Sequence, residues 1–225
     1  LAKSGNTPPP VLDYNPPQTR LKIIHQDDDL VVLSKPAGLL SVPGNQLHLQ
    51  DCLERRAQFV FPSATTVHRL DRATSGLFVM AMHIEAHRHL GLQFERRKLS
   101  KIYIAIVSGN PDQNEGIIDL PLRTDWYCKP KQTVDHCLGR PAITHWQGLE
   151  RVGPNTRMLL KPETGRTHQL RVHMQAMGWP IIGDEFYAMP QPSTLADRLL
   201  LHAEEMKLRH PATGEWLRLR DPCPF

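Results

Sequence analysis

Residues 66–82 read TVHRLDRATSGLFVMAM. The stretch changes character at Gly76. Before it, hydroxyl and cationic side chains crowd around a single carboxylate, Asp71, with Arg69 and Arg72 close on either side. After it, Leu77 to Met82 is apolar without a break. A short apolar run that does not alternate, bounded by glycine and polar residues, predicts a strand covered on both faces. A charged turn is thus delivered to the amino end of a buried strand.

The neighbouring segments predict the rest of the sheet. Leu21–His25, the acidic turn Gln26–Asp29 and Leu30–Lys35 read as a hairpin. Pro36–Gly44, with two prolines and two glycines, reads as a loop. Leu49, Leu53 and Ala57 at four-residue spacing predict a helix over Leu47–Phe59. Glu85–Arg97 predicts a second helix, with Ala86, Leu90 and Phe94 on one face and Arg88, Arg96 and Arg97 away from it. Ile102–Val107 reads as a second buried strand, 108–141 as loop, and Ala142–Glu150 and Arg157–Lys161 as strands. Thr167–Met177 predicts a third helix, stopped by Gly178. Leu199–Arg209 and Trp216–Arg220 flank a turn containing Pro211 and Gly214 and read as a closing hairpin. Strands and helices mix without a βαβα rhythm, so the expected class is α+β, a mainly antiparallel mixed sheet flanked by helices. Residues 1–20 hold five prolines and no periodicity, and read as a flexible arm ahead of one domain, 21–225.

Composition narrows the function. The 225 residues are 40% apolar and 22% charged, with 27 Lys+Arg against 23 Asp+Glu. These values exclude a chain disordered throughout, a collagen and a coiled-coil rod, and 20 prolines argue against a helix bundle. No apolar run approaches the roughly 20 residues that span a bilayer, and the amino end lacks a signal-peptide core. Cys52, Cys128, Cys137 and Cys223 form no C-x-x-C pair, which suits reduced thiols and a cytoplasmic protein. A net charge of +4 permits a nucleic-acid partner.

Two clusters carry candidate chemistry. In the first, Arg69 and Arg72 favour an ionised Asp71, suited to a nucleophile or an electrostatic anchor. The plain alternative is a turn in which Asp71 caps the amides of Thr74 or Ser75. In the second, Thr164–His173, a helix puts His168, Arg171 and Gln175 on one face, opposite Leu170 and Met174. A cation in a first turn opposes the helix dipole, so Arg171 calls for an anionic partner, and the alternative is a solvated face. His83 and His87 miss the H-E-x-x-H zinc pattern because Glu85 sits two positions on, and no Cys/His set has finger spacing. No metal is expected. Neither G-x-S-x-G nor a Gly-rich phosphate loop occurs, so no nucleotide cofactor is expected either. Arg55, Arg56, Arg88, Arg96, Arg97, Lys98, Lys101, Lys129 and Lys131, with Trp126 and Tyr127 beside the last pair, suit stacking and phosphate contact.

The motifs together resemble one family. His68-Arg69-Leu70-Asp71 followed by Ala73-Thr74-Ser75-Gly76 is similar to the H-R-L-D-x-x-T-S-G signature of the RluA family of pseudouridine synthases. Lys35–Leu39 resembles its K-P-x-G segment, Lys101-Ile102-Tyr103 its K-x-Y strand and Thr164–Arg171 its T-G-R-x-H-Q-[IL]-R segment. Pro180–Asp184 and Leu201-His202-Ala203 match further blocks in order. The resemblance implies a pseudouridine synthase catalytic fold with its cleft across the sheet. It also implies isomerisation of uridine to pseudouridine in RNA without cofactor or metal. It makes Asp71 the catalytic carboxylate, by attack on ribose or base or through a glycal. Tyr103 becomes the residue that stacks on the base and helps remove a proton, and Arg171 the partner of the aspartate. Arg69 enters the RNA stack, Leu170 packs beneath the site, and His68, Arg72 and Thr74 adjoin the RNA. About 20 residues before the hairpin are too few for the S4 domain of many relatives, so the compact branch is expected. That branch implies a monomer reading a tRNA anticodon stem-loop, a large-subunit rRNA stem-loop, or both. The stretch Pro111–Pro141 is the expected discriminator. An RNA-binding protein without turnover and a metal-dependent hydrolase are the competing classes.

Overall fold

The computed structural model describes residues 13–188 and 196–225. β1 (Lys22–Gln26) and β2 (Leu30–Lys35) form the expected antiparallel hairpin. A loop leads to α1 (Leu53–Val60), then β3 (Thr65–Thr66), β4 (Ser75–Ala81), α2 (Ile84–Glu95) and β5 (Ser100–Ser108). β6 (Glu115–Asp119), β7 (Leu122–Thr124), β8 (Gln132–Val134), β9 (Ile143–Val152) and β10 (Asn155–Pro162) precede α3 (Gln169–Ala176). β11 (Leu201–Arg209) and β12 (Trp216–Arg220) close the chain. Ten strands make one sheet, in the order β1-β2-β4-β11-β5-β10-β9-β6, with β12 on β11 and β3 on β4. Every pairing is antiparallel except β4 with β11. This is the α+β fold with a mainly antiparallel sheet that the sequence predicts.

The unbroken apolar run of β4 is explained by what covers it. Phe78 and Met80 pack with Val31, Leu33, Leu53 and Ala57 on the face under α1. Leu77, Val79 and Ala81 pack with Leu30, Val32, Ala86 and Leu90 on the face under α2. A strand covered twice needs an apolar residue at every position. A third cluster, with Ala105, Met158, Leu160, Leu170 and Met174, sets α3 on the other half of the sheet. Tyr103 packs against both the α1 and the α3 clusters, so it stands at their seam.

Three expectations change. The predicted helix over 47–59 splits into a 3-10 turn, Leu47–Leu49, and α1, whose cap is Cys52, its Sγ accepting the Arg55 N–H at 3.5 Å. The stretch 108–141, expected as loop, holds β6 and the separate β7–β8 hairpin. These strands are short and half exposed, so their sequences carry little apolar signal. The expected arm, 1–20, lies outside the described residues as far as residue 12. Asp13–Arg20 carry neither helix nor strand, and they are tied down: the Tyr14 hydroxyl donates to the Asp51 carbonyl (2.7 Å) and accepts the Leu40 N–H (3.0 Å), and Arg56 donates to the Pro17 carbonyl. Among the described residues, no helix is long and apolar enough to cross a membrane.

Register positions the centre of the sheet. Gly76 lies opposite Ala203 on β11, and Ala203 opposite Tyr103 on β5. The turn before β4 therefore ends beside Tyr103, with only one strand between. Gly76 holds φ at +110°, and a Cβ there would lie 2.6 Å from the Ala203 nitrogen and against its carbonyl oxygen. Gly76→Ala must therefore open the β4–β11 pairing. A loss of about 2–4 kcal/mol in urea unfolding is expected, from backbone strain and displaced packing; an unchanged midpoint would contradict this register.

Candidate active site

A cleft of about 770 Å³ crosses the sheet at the seam marked by Tyr103. Among its lining residues are Arg69, Asp71, Arg72, Thr74, Tyr103, Leu170 and Arg171, so the two motifs found a hundred residues apart meet here. His68 lines the wall as well.

The turn that presents Asp71 does not use its carboxylate. The Thr74 N–H donates to the Asp71 main-chain carbonyl at 3.1 Å, so the turn closes through backbone. The side chain is 27% exposed, and its ion-pair neighbours are Arg171 Nη1 at 3.5 Å and His168 Nε2 at 3.9 Å. The capping alternative is thereby set aside: the carboxylate faces the cleft.

Arg171 is not on a solvated helix face. It is 2% exposed, and α3 is buried from Gln169 to Met174. Its main partner is also not the one expected. Nε and Nη2 donate to the two oxygens of Asp184, both at 2.7 Å, and only Nη1 is left for Asp71. The planar fork of a guanidinium explains this geometry: one edge fits a carboxylate bidentately and the remaining nitrogen points elsewhere. Burial opposes the charge of Arg171, but the Asp184 bonds and the two nearby carboxylates outweigh it and raise its pKa. Asp184 also accepts the Phe186 and Tyr187 N–H groups, and the guanidinium faces both rings, about 5 Å from each centroid.

His168 caps α3 from a left-handed backbone, φ 53°. Its Nδ1 meets the Tyr187 hydroxyl at 2.7 Å, and that hydroxyl also accepts the Gln132 N–H at 2.7 Å. The β7–β8 hairpin is therefore hydrogen-bonded to the cap of the helix that carries Arg171. Burial pulls the His168 pKa down, while Asp71 draws it back up. Burial, reinforced by the Asp71 charge, pushes the Tyr103 phenol well above its ordinary value. Tyr103 consequently offers a ring face and an O–H donor, and not a phenolate.

One face of the half-buried His68 is engaged by the protein itself. Its Nε2 accepts the Val79 N–H at 2.9 Å, and its ring stacks on Phe94 at 4.6 Å and tilts against Phe78. Nε2 is therefore taken by the protein's own backbone, while the residue still lines the cleft. Arg72 pairs through its guanidinium with Glu185 at 3.0 Å. Arg69 is exposed and forms no ion pair among the described residues. Thr74 and Leu170 are buried, Leu170 within the α3 cluster.

Lys35 belongs to the site's support and was not singled out by its chemistry. Its fully buried amine donates to the carbonyls of Pro36 (3.0 Å), Leu39 (2.6 Å) and Arg72 (3.0 Å). Burial pushes its pKa down to about 7, against the pull of Asp71. A lysine ending a buried strand just before Pro-x-Gly was the available signal. Asp184 and Tyr187 were missed because their partners lie on other elements.

Among the described residues, Asp27, Asp29 and His210 place ligand-type atoms within 4.8 Å of one another, near the end of β2 away from Lys35. The group is closed by its own hydrogen bonds. The Ala212 and Thr213 N–H groups donate to His210 Nδ1, which leaves the proton on Nε2, facing Asp27 at 3.1 Å. His87, the second member of the rejected zinc pair, meets the Thr66 carbonyl instead.

The profile of the RNA pseudouridylate synthase family matches residues 29–176, which include Asp71, Tyr103 and Arg171. The chain belongs to the RNA pseudouridylate synthase family. Its members are isomerases that convert uridine to pseudouridine in RNA. Within the family, the chain is 49% identical over 215 residues to the dual-specificity RNA pseudouridine synthase RluA of Escherichia coli K12, covering 95% of this chain and 98% of that one. The RluA of Haemophilus influenzae is 47% identical over 217 residues, covering 96% and 99%. Among solved structures, human RNA pseudouridylate synthase domain containing 1 superposes with a TM-score of 0.77 at 28% identity, over 92% of this chain and 84% of that one. The fold of this pseudouridylate synthase is thus shared well beyond its bacterial relatives.

Two outcomes follow from the geometry. Arg171→Ala strands the Asp184 carboxylate in a buried site, and a loss of about 3–5 kcal/mol is expected by urea denaturation; stability equal to wild type would show that Asp184 is not held by this arginine. The second concerns pH. His68 must be neutral to accept the Val79 N–H, and burial pushes its pKa down to about 3 from 6.5. A folded pKa below the unfolded one means that the unfolded chain binds the extra proton. The His68 contribution is therefore complete above pH 6.5 and lost as pH falls from there to about 3. His68→Gln should flatten that part of the stability–pH curve, and an identical slope in both proteins would refute the assignment.

Proposed function

We propose that this pseudouridine synthase acts on a uridine in a stem-loop of tRNA, of large-subunit rRNA, or of both, with Asp71 as the catalytic carboxylate. One observation carries the reading. Asp71 is spared by its own turn, and it stands at the floor of the cleft, 3.5 Å from a buried arginine that Asp184 already neutralises. A carboxylate held this way is ready to engage a ligand without first breaking a structural bond.

The target uridine leaves its stack to reach this floor, which costs a few kcal/mol and least in a loop. Tyr103 offers its ring to the extruded base, and exposed Arg69 fills the gap left in the RNA, so stacking offsets part of the cost. Arg72 and Thr74 hold the presenting turn beside the strand, and Leu170 packs beneath. In the reaction, the N1–C1′ bond of uridine breaks, the base turns, C1′ bonds to C5, the C5 proton is released to water, and N1 takes up a proton from water. Arg171, fixed by Asp184, holds its remaining N–H toward Asp71 throughout.

The β7–β8 hairpin supports a role in choosing the RNA. Trp126 and Tyr127 at its tip are 64% and 98% exposed, and the Lys129 amine lies 4.0 Å over the Trp126 ring. Exposed aromatic and cationic groups beside a cleft suit loop bases and phosphates. In this reading the protein works as a monomer in the cytoplasm, where its thiols stay reduced.

Tritium release from RNA labelled at uridine C5 tests the reaction, because the C5 hydrogen leaves only when C5 becomes the glycosidic carbon. Release from unmodified tRNA or large-subunit rRNA transcripts is expected, and Asp71→Asn should abolish it while RNA affinity stays within about twofold. Turnover by that variant would remove Asp71 from the mechanism.

A further inference from the structure

Two residues other than glycine have positive φ among the described residues, Arg97 at 55° and His168 at 53°, and both line the cleft. Arg97 ends α2. The Lys98 N–H closes on the Gln93 carbonyl at 2.9 Å, which makes Arg97 the left-handed residue of a Schellman-type stop. Glycine is the usual occupant of that place, since any Cβ there is strained. An arginine held in it is a backbone cost that the helix ending does not require.

The surroundings give no internal reason for the charge. Arg97 is exposed and forms no ion pair among the described residues, and two further cations of the cleft wall, Lys101 and Arg166, feel its charge. Lys101 is lowered by burial and then by Arg97, and Arg166 by burial, Arg97 and Arg140 in turn. The Lys101 amine lies against Gly165, 3.6 Å from where a Cβ would stand. Arg166 uses its Nε on the Pro141 carbonyl and pairs with no carboxylate among the described residues. Of the two glutamates in the cleft wall, Glu163 is taken by His145 at 2.6 Å, and Glu95 makes no ion pair among the described residues. None of the three cations forms an ion pair with these carboxylates among the described residues, and like charges gathered unpaired in a concave wall form a site for an anion.

We propose that Arg97, with Lys101 and Arg166 beside it, is a phosphate-binding subsite that grips the backbone of the RNA strand entering the cleft. The proposal rests on the reading that the cleft takes RNA. The strained backbone of Arg97 is retained because it aims a guanidinium at that phosphate.

Strain and function make opposite demands at this position, which gives the test its power. Thermal melts of the full chain are combined with binding to a pool of random-sequence stem-loop RNA over a salt series. Arg97→Gly should raise Tm by about 2–4 °C as the strain is released. The same variant should weaken RNA binding about tenfold and reduce the slope of log affinity against log salt by about one. Arg97→Asn, which tolerates the left-handed backbone, should show the same loss of binding. Arg218→Ala, which removes an exposed cation of β12 paired with Glu205 of β11, should leave the slope unchanged and controls for net charge. On a substrate stem-loop, Arg97→Gly should raise KM about tenfold with kcat nearly constant, as expected for a contact equal in ground and transition states. Unchanged affinity and salt slope in Arg97→Gly and Arg97→Asn would overturn the subsite, whatever happens to Tm. A drop in salt slope with no tritium release by wild type would support the subsite and defeat the isomerase assignment.

Discussion

The bidentate pair between Arg171 and Asp184 is the constraint on which the site depends. Two groups that would each be costly to bury alone are buried together, with every strong donor of the guanidinium edge matched. The match fixes the plane of the guanidinium, and the plane fixes the direction of Nη1. That nitrogen then faces Asp71 at a distance longer than a tight ion pair. A shorter bond would have tied the carboxylate to the protein. The observed arrangement sets a guanidinium N–H beside Asp71 while leaving the oxygens accessible, a preorganised geometry that needs no rearrangement when a ligand arrives.

The sheet supplies the positions. Asp71 arrives on the turn into β4, Tyr103 on β5, and β11 runs between them, paired with both. The single parallel pairing, β4 with β11, brings the carboxylate-bearing turn and the tyrosine to one side. Lys35 locks that turn from below by drawing the Arg72 carbonyl and the Pro36–Leu39 segment to one amine. Burying an amine with three carbonyls restores part of the hydration it loses, which is how a strand otherwise apolar can end in lysine. The site is thus held from three directions: a buried strand, a buried lysine and a buried ion pair.

Much of this was legible in the chain because it is local. The doubly covered strand β4 shows as an apolar run, and the hairpins show as turn residues between such runs. The Asp71 and Arg171 segments stood out by composition and by their likeness to known motifs. What was not legible depends on partners far away. Nothing within the Thr164–His173 segment says that Arg171 is buried, because its carboxylate comes from residue 184 and its covering rings from 186 and 187. Helical spacing placed it opposite Leu170 and Met174 and so suggested solvent. The spacing was right, but the helix is covered on both sides. β7 and β8 were missed for a related reason. They are three residues long, and a hydrogen bond from Gln132 to Tyr187 ties the hairpin to α3 where intrinsic propensity would not.

That bond joins the hairpin to the floor of the cleft. The Tyr187 hydroxyl accepts from the β7–β8 hairpin and meets His168, and the Tyr187 N–H donates to Asp184. One residue therefore touches the exposed aromatic hairpin, the cap of α3 and the carboxylate that aims Arg171. Burial pushes its phenol up to about 12, so it stays a neutral hydrogen-bonding hub. The same hydroxyl steadies His168, 3.9 Å from Asp71, so the exposed hairpin, the cap of α3 and the carboxylate at the cleft floor are linked through one side chain and cannot be positioned independently.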